Sequence, residues 1–198
     1  MLVSGACIIK QRIVRNLRSI PQQLQPCGVD VSLRRVLKWT SPATVDFDNA
    51  HRQAAKTAEI PFSANNIGAV RSGAAADADE TEGVVKLLQG AYLVEFNETV
   101  HIPLDCMGQL FVRSSLWRSG VVLSAGVIDA GYAGSLGALL DVRNPAGVVL
   151  YKHAKLAQVV VHQLDGRVKG YDGVYQNSLH ALGRDGAGKM QGWQLVLL

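Results

Sequence analysis

Two short stretches of this sequence concentrate groups that bind and hydrolyse charged substrates. The run Arg113-Ser114-Ser115-Leu116-Trp117-Arg118-Ser119 places two guanidinium groups and three hydroxyls within seven residues. Guanidinium forks bind phosphate through paired hydrogen bonds, and hydroxyls and free N–H groups at a helix start add donors. The run Gly126-Val127-Ile128-Asp129-Ala130-Gly131-Tyr132-Ala133-Gly134 carries a single carboxylate at the entrance to a glycine-rich hairpin. A carboxylate there can orient and deprotonate a water. Gly126 lets a ligand approach the backbone, and Tyr132 offers a flat face to a sugar or base. A third stretch, Ala154-Lys155-Leu156-Ala157-Gln158, sets Gln158 inside an apolar strand. A buried amide must be hydrogen-bonded to a ligand or to backbone. Each piece alone also has a plain reading: an N-capped turn, a β-turn built by Asp and Gly, a satisfied core amide.

The elements that must hold these groups read as short strands. Val29 to Trp39 begins with apolar Val29, Val31 and Leu33 alternating with Asp30, Ser32 and Arg34, the pattern of a half-buried strand. Further strands are expected at Gly90 to Phe96, Val100 to Pro103, Gly108 to Arg113, Val121 to Ser124, Leu136 to Val142, Val148 to Tyr151 and Leu156 to Leu164. Glycine, proline and polar turns separate them. Many short strands at this spacing predict a mostly β fold, a barrel or a double-sheet jelly roll. The one helix expected in the second half is Ser114 to Arg118. Ile8 to Leu17 reads as a short strand or helical turn, and Pro21 and Pro26 bracket a loop. Residues 63–83, rich in Ala, Gly, Ser, Asp and Glu, read as a mobile insertion with too little apolar surface to pack.

The 198 residues suffice for one domain with a real core. Apolar residues make up 48% and charged residues 18%, ordinary for a globular protein. A net charge of +4 and a pI near 9.1 suit an anionic substrate. No Lys/Arg run or aromatic-interleaved basic stripe points to nucleic acid. No apolar stretch reaches the ~18 residues that span a membrane. The three cysteines, Cys7, Cys27 and Cys106, contain no CxxC pair, so neither a zinc site nor a disulfide framework is indicated. Reduced thiols predict an intracellular, cytoplasmic protein, with nuclear or mitochondrial placement left open. Lys10, Arg12, Arg15 and Arg18 precede the first acidic residue, Asp30, as in a transit peptide. The alternative, preferred here, is that this segment opens the domain.

Read in order, five segments resemble the dUTPase/dCTP deaminase superfamily: Gln25-Pro26-Cys27-Gly28-Val29-Asp30, Gly90-Ala91-Tyr92-Leu93, Arg113-Ser114-Ser115-Leu116, Gly126 to Gly134, and Ala154 to Gln158. The Ser4-Gly5 start and Ile8-Ile9 look like the family's opening strand, which favours domain over transit peptide. The resemblance covers Ser4 to Gln176. It implies a domain over residues 1–176, a tail over 177–198, and a homotrimer of distorted jelly rolls with active sites shared between subunits. By resemblance, Asp129 is the residue that activates water for attack on the α-phosphate of dUTP. Asp30 is the residue that holds Mg2+ through water, with the metal chelated by the triphosphate. Ser114 binds phosphate, Arg113, Ser115 and Gln158 bind phosphate or organise the site, Gly126 lies on the hairpin that reads the pyrimidine, and Tyr132 stacks under deoxyribose.

The sequence departs from the dUTPase pattern at its end. Arg184-Asp185-Gly186-Ala187-Gly188 only faintly matches the closing Arg/Gly motif, and no Phe follows. Gly170 to Gln176 looks instead like the deaminase tail, and Arg118 is also a deaminase-branch feature; by this resemblance Arg118, Tyr171 and Gln176 are expected to bind substrate. The zinc-independent deaminase uses a Glu in the strand after the hairpin. Counting forward from Asp129 places Leu139 there; counting back from Asn144 places Asp141 there. Neither is Glu, and Asp is one methylene shorter, a misplacement of about 1 Å that can cost a hundredfold. The reading is therefore a dUTP diphosphatase. The alternatives are a dCTP deaminase or bifunctional enzyme with Asp141 as base, and a nucleotide-binding or regulatory homologue with weak catalysis.

Overall fold

The computed structural model describes residues 1–48, 50–63 and 83–178. Residues 64–82 of the expected insertion and residues 179–198 of the tail, including Arg184 to Gly188, lie outside the described residues. In chain order the first half contains β1 (Leu2–Val3), α1 (Gly5–Lys10), β2 (Val14–Arg15), α2 (Ile20–Gln23), β3 (Leu24–Gln25), β4 (Gly28–Trp39), β5 (Thr57–Ile60) and β6 (Val84–Leu87). The second half contains β7 (Gly90–His101), β8 (Cys106–Val112), α3 (Ser114–Arg118), β9 (Val121–Ser124), β10 (Ala133–Val142), β11 (Val148–Tyr151) and β12 (Lys155–Gln163).

Ten strands form one antiparallel sheet with the path β1-β12-β4-β7-β10-β9; β8 joins at β12, and β6 pairs with β11 in a separate ribbon. Its pivot is β4. Residues Val29–Ser32 pair with β12, and from Leu33 onward the same strand pairs with β7, across a register shift between Leu33 and Arg35. Such an irregularity bends a strand and turns its side chains, so β4 belongs to both halves of the fold. Beyond the shift, Arg35 and Glu95 are register partners and form a bidentate pair, Nε to Oε2 at 2.6 Å and Nη2 to Oε1 at 3.0 Å. Glu95 hydrogen bonding, the largest influence, holds the Arg35 guanidinium above its ordinary pKa against the opposing effect of burial. The core between the halves is built from Val29, Val31, Leu33, Phe96, Leu140 and Leu156, all at most 1% exposed. Each such side chain contributes roughly 1.5–3 kcal/mol by leaving water.

Several elements differ from the sequence reading. Gly90–Phe96 and the first two residues of Val100–Pro103 join into the continuous β7, which ends at His101. The polar residues between them do not break the strand because Asn97 Nδ2 donates to Leu33 O at 3.1 Å and Glu98 accepts from Ser32 N at 2.8 Å. The segment read as an opening strand is helical: Ser4 caps α1, its Oγ accepting from Cys7 N at 3.4 Å. Pro21 does not sit in a loop but in the first turn of α2, where a missing N–H costs nothing. β9, α3 and β11 fall on their expected residues. No helix among the described residues is long and apolar enough to cross a membrane. Cys7, Cys27 and Cys106 are all free thiols.

Candidate active site

The start of β4, the start of β12 and the entry to α3 meet at Asp30. This carboxylate is 2% exposed. Its Oδ2 lies 3.1 Å from Arg113 Nε and 3.4 Å from Lys155 Nζ, and accepts from Gln25 Nε2 at 3.2 Å. Arg113 is further fixed by Nη1 donating to Lys155 O at 3.3 Å, and Lys155 Nζ donates to Gln22 O at 2.6 Å. Behind it, Gln23 Nε2 donates to both Asp30 O at 2.9 Å and Glu98 Oε1 at 2.6 Å. Gln158 stands directly opposite Asp30 across the β12–β4 pair, so the two side chains share a face. Ser114 and Ser115 follow Arg113 into the first turn of α3 with exposed side chains. One turn on, the Arg118 guanidinium lies over the Trp117 ring at 5.0 Å. The result is a fixed cationic edge with hydroxyls beside it, an arrangement suited to phosphate.

The hairpin between β9 and β10 forms a second region. Ile128 is bridged to Gly108 of β8 by a reciprocal pair of backbone hydrogen bonds, 2.8 and 2.9 Å. Gly131 N donates to Ile102 O and Ile102 N to Tyr132 O, both at 2.9 Å. Asp129 is therefore held between two pinned residues while its side chain is exposed. It opens on a cavity of about 440 Å³ whose walls include Leu110, Gly126, Tyr132, Gly137, Tyr171 and Tyr175. A Cβ on Gly126 would meet nothing within 4 Å, so the space above it belongs to the cavity. Tyr132 and Tyr171 meet edge to face at 5.7 Å, and Tyr132 Oη donates to Ser135 O at 2.8 Å. Burial, first, and the neighbouring Tyr171 push the Tyr132 pKa up, so its hydroxyl stays protonated at neutral pH.

Gln176 uses both ends of its amide on the hairpin backbone. Its Oε1 accepts from Ala133 N and its Nε2 donates to Gly131 O, both at 2.9 Å. Tyr171 N donates to Ala130 O at 2.8 Å. The close approach requires glycine at 131: φ is +77°, and a Cβ would lie 2.7 Å from Gly170 Cα. Gln176 thus holds the hairpin in shape, and Tyr171 walls the cavity.

Asp141 is in neither region. It pairs with Arg143 Nε at 2.8 Å on β10. Alternation puts it on the face of Gly137, which does line the cavity, but four residues further on, about 13 Å along the strand. Arg113, Ser114, Ser115, Arg118, Gln158 and Asp30 do not line the cavity of Asp129 either. A single chain holds two half-sites, one cationic and one with the exposed carboxylate. Among the described residues no cluster of His, Cys, Asp or Glu forms a metal cage. Lys155 and Gln25, given no role in the sequence reading, turn out to hold Asp30. Both stood beside quoted motif residues, but nothing in spacing ties either one to a particular carboxylate.

The comparisons agree with this architecture. Residues 5–164 match the family model described as dCTP deaminase-like. A protein of Methanosarcina mazei named "Probable deoxyuridine 5'-triphosphate nucleotidohydrolase" is 34% identical over 166 residues, 83% of this chain and 87% of the relative. The protein of Methanocaldococcus jannaschii named "Deoxyuridine 5'-triphosphate nucleotidohydrolase" is 32% identical over 156 residues, 78% of this chain and 88% of the relative. The crystal structure of 2'-deoxycytidine 5'-triphosphate deaminase from Agrobacterium tumefaciens superposes with a TM-score of 0.53 at 16% identity, covering 82% of this chain and 47% of that longer one. At that identity the likeness speaks for the fold alone. The mostly β architecture, the ordered motifs and the family match lead to one conclusion: this chain is a member of the dCTP deaminase-like family, within the dUTPase/dCTP deaminase superfamily.

Proposed function

We propose that this chain is a dUTP diphosphatase, converting dUTP and water to dUMP and pyrophosphate. The observation that carries this reading is the exposed carboxylate of Asp129 at a nucleotide-sized cavity that Asp141 does not reach. Relatives named as deoxyuridine triphosphate nucleotidohydrolases support the substrate. In this reading the deoxynucleoside enters beside Gly126 and Tyr132. Tyr132 packs against the deoxyribose and leaves no room for a 2'-hydroxyl. Asp129 accepts a proton from a water, and the water oxygen bonds to the α-phosphorus. The bond from that phosphorus to the bridging oxygen breaks, and pyrophosphate leaves. Arg113, Ser114, Ser115, Arg118 and Gln158 hold the phosphate chain and offset the charge that develops at the α–β bridge. Asp30 keeps Arg113 in place for that task.

Mg2+ fits this site as a passenger on the triphosphate. Mg2+ retains several waters and needs few protein ligands, and Asp30, with Oδ2 shared by three donors, offers a single outer contact through water. When bound, the metal would neutralise phosphate charge. The two half-sites imply that a second copy supplies the cationic edge to each Asp129 cavity, as in a homotrimer with shared sites. Co-expressed Asp129→Asn and Ser114→Ala subunits then regain activity that each lacks alone, because mixed assemblies contain one intact site. Absence of any regain would place both half-sites in one chain. Hydrolysis in 18O-water tests the chemistry: the label enters dUMP if attack is at the α-phosphorus. Label in pyrophosphate would contradict it.

A further inference from the structure

The excursion between β4 and β5 lies outside the five motif segments, yet it reaches a residue in the wall of the Asp129 cavity. Its two arms are tied by Thr44 N to Gln53 O at 2.9 Å and Gln53 N to Thr44 O at 3.0 Å. Its base is closed by Thr40 N to Lys56 O at 2.8 Å and Lys56 N to Ser41 Oγ at 2.9 Å. Arg52 therefore leaves a fixed backbone. Its guanidinium lies over the Tyr175 ring, 4.9 Å from the centroid. Tyr175 belongs to the cavity wall together with Tyr171 and Asp129. The segment presenting it is a tight turn: Tyr171 Oη accepts from Tyr175 N at 3.4 Å, and a Cβ on Gly173 would fall 2.4 Å from Tyr171 Oη. On one side this segment is tied to the hairpin by Gln176. On the other side Arg52 meets it. Burial, first, pushes the Tyr171 pKa up; the Arg52 charge opposes that rise and the Asp129 charge adds to it.

We propose that Arg52 is a positioning residue for nucleotide binding, holding Tyr175 in place as a wall of the Asp129 cavity. The claim rests on the nucleotide hydrolase reading. It predicts that the wall, and with it substrate affinity, loosens when the cation is removed, while the water-activating Asp129 is untouched. A stacked cation–π contact at a partly exposed site corresponds to a roughly threefold change in affinity.

The test is a double-mutant cycle on the full chain with dUTP. Arg52→Ala should raise KM about threefold with kcat within about twofold. Arg52→Lys, which keeps the charge without the planar stack, should fall between Arg52→Ala and the wild type. In a Tyr175→Leu background Arg52→Ala should add nothing. An unchanged KM in Arg52→Ala, or an equal rise with and without Tyr175, would overturn the proposal. A second readout does not depend on turnover: chymotrypsin should cut after Tyr175 faster in Arg52→Ala than in the wild type, and at equal rates if Arg52 holds nothing. Wild-type protein that fails to hydrolyse dUTP would count against the hydrolase reading, and the proteolysis arm would still decide whether Arg52 fixes the wall.

Discussion

Asp30 is 2% exposed and gives one oxygen to Arg113, Lys155 and Gln25, whereas Asp129 is exposed and stands between backbone pins at the mouth of a cavity. Both are acidic residues near glycine in matched motifs, and the sequence offers little to tell them apart. Their surroundings assign opposite tasks. A buried carboxylate held by two cations and an amide is an anchor. A carboxylate open to water, beside a cavity, can accept a proton during reaction. In the proposed reaction the stiffness of the first region would keep guanidinium and hydroxyl groups aimed at phosphate, and the openness of the second would admit substrate and water.

Substitutions should separate the two. Asp129→Asn should lower dUTP turnover by about a thousandfold, near 4 kcal/mol in activation free energy, with an unchanged melting temperature. Steady-state kinetics with calorimetry measures both. Asp30→Ala should cost stability as well, reducing unfolding free energy by roughly 3 kcal/mol, because it strands two cations near a buried position. Urea denaturation reads this, and Arg113 and Lys155, each about a third exposed, keep the loss below that of a fully buried pair. Gln176→Ala removes two hydrogen bonds from the hairpin and should raise KM by roughly fivefold to a hundredfold, at about 0.5–1.5 kcal/mol per bond. Asp141→Asn should change turnover by less than about twofold, since its partner is the exposed Arg143. A large loss there would return Asp141 to the site.

The sequence was most legible where period and punctuation agreed. β9, β11 and α3 stand on their expected residues because turn signals bound short apolar runs. It was least legible where polar groups find long-range partners. Asn97 and Glu98 look like a break, yet Ser32 and Leu33, more than sixty residues earlier, satisfy them and carry β7 through. The helix at Gly5–Lys10 was hidden because Ile8 and Ile9 favour strands, and the Ser4 cap with burial of Ile8 decides otherwise. Among site residues, Asp129, Gly126 and Tyr132, given their roles by resemblance, stand around one cavity. Arg113, Ser114 and Gln158 gather at Asp30, a separate place that only folding shows. The forward count from Asp129 to Leu139 crosses the register shift of β10 between Ser135 and Gly137, whereas the backward count from Asn144 to Asp141 does not.

The most direct test is to incubate the purified chain with Mg2+ and either dUTP or dCTP, separating nucleotides and pyrophosphate by chromatography. The expected products are dUMP and pyrophosphate from dUTP, abolished by Asp129→Asn, with the cytosine of dCTP left intact. Uracil nucleotide formed from dCTP, or no turnover of dUTP by the wild type, would contradict it.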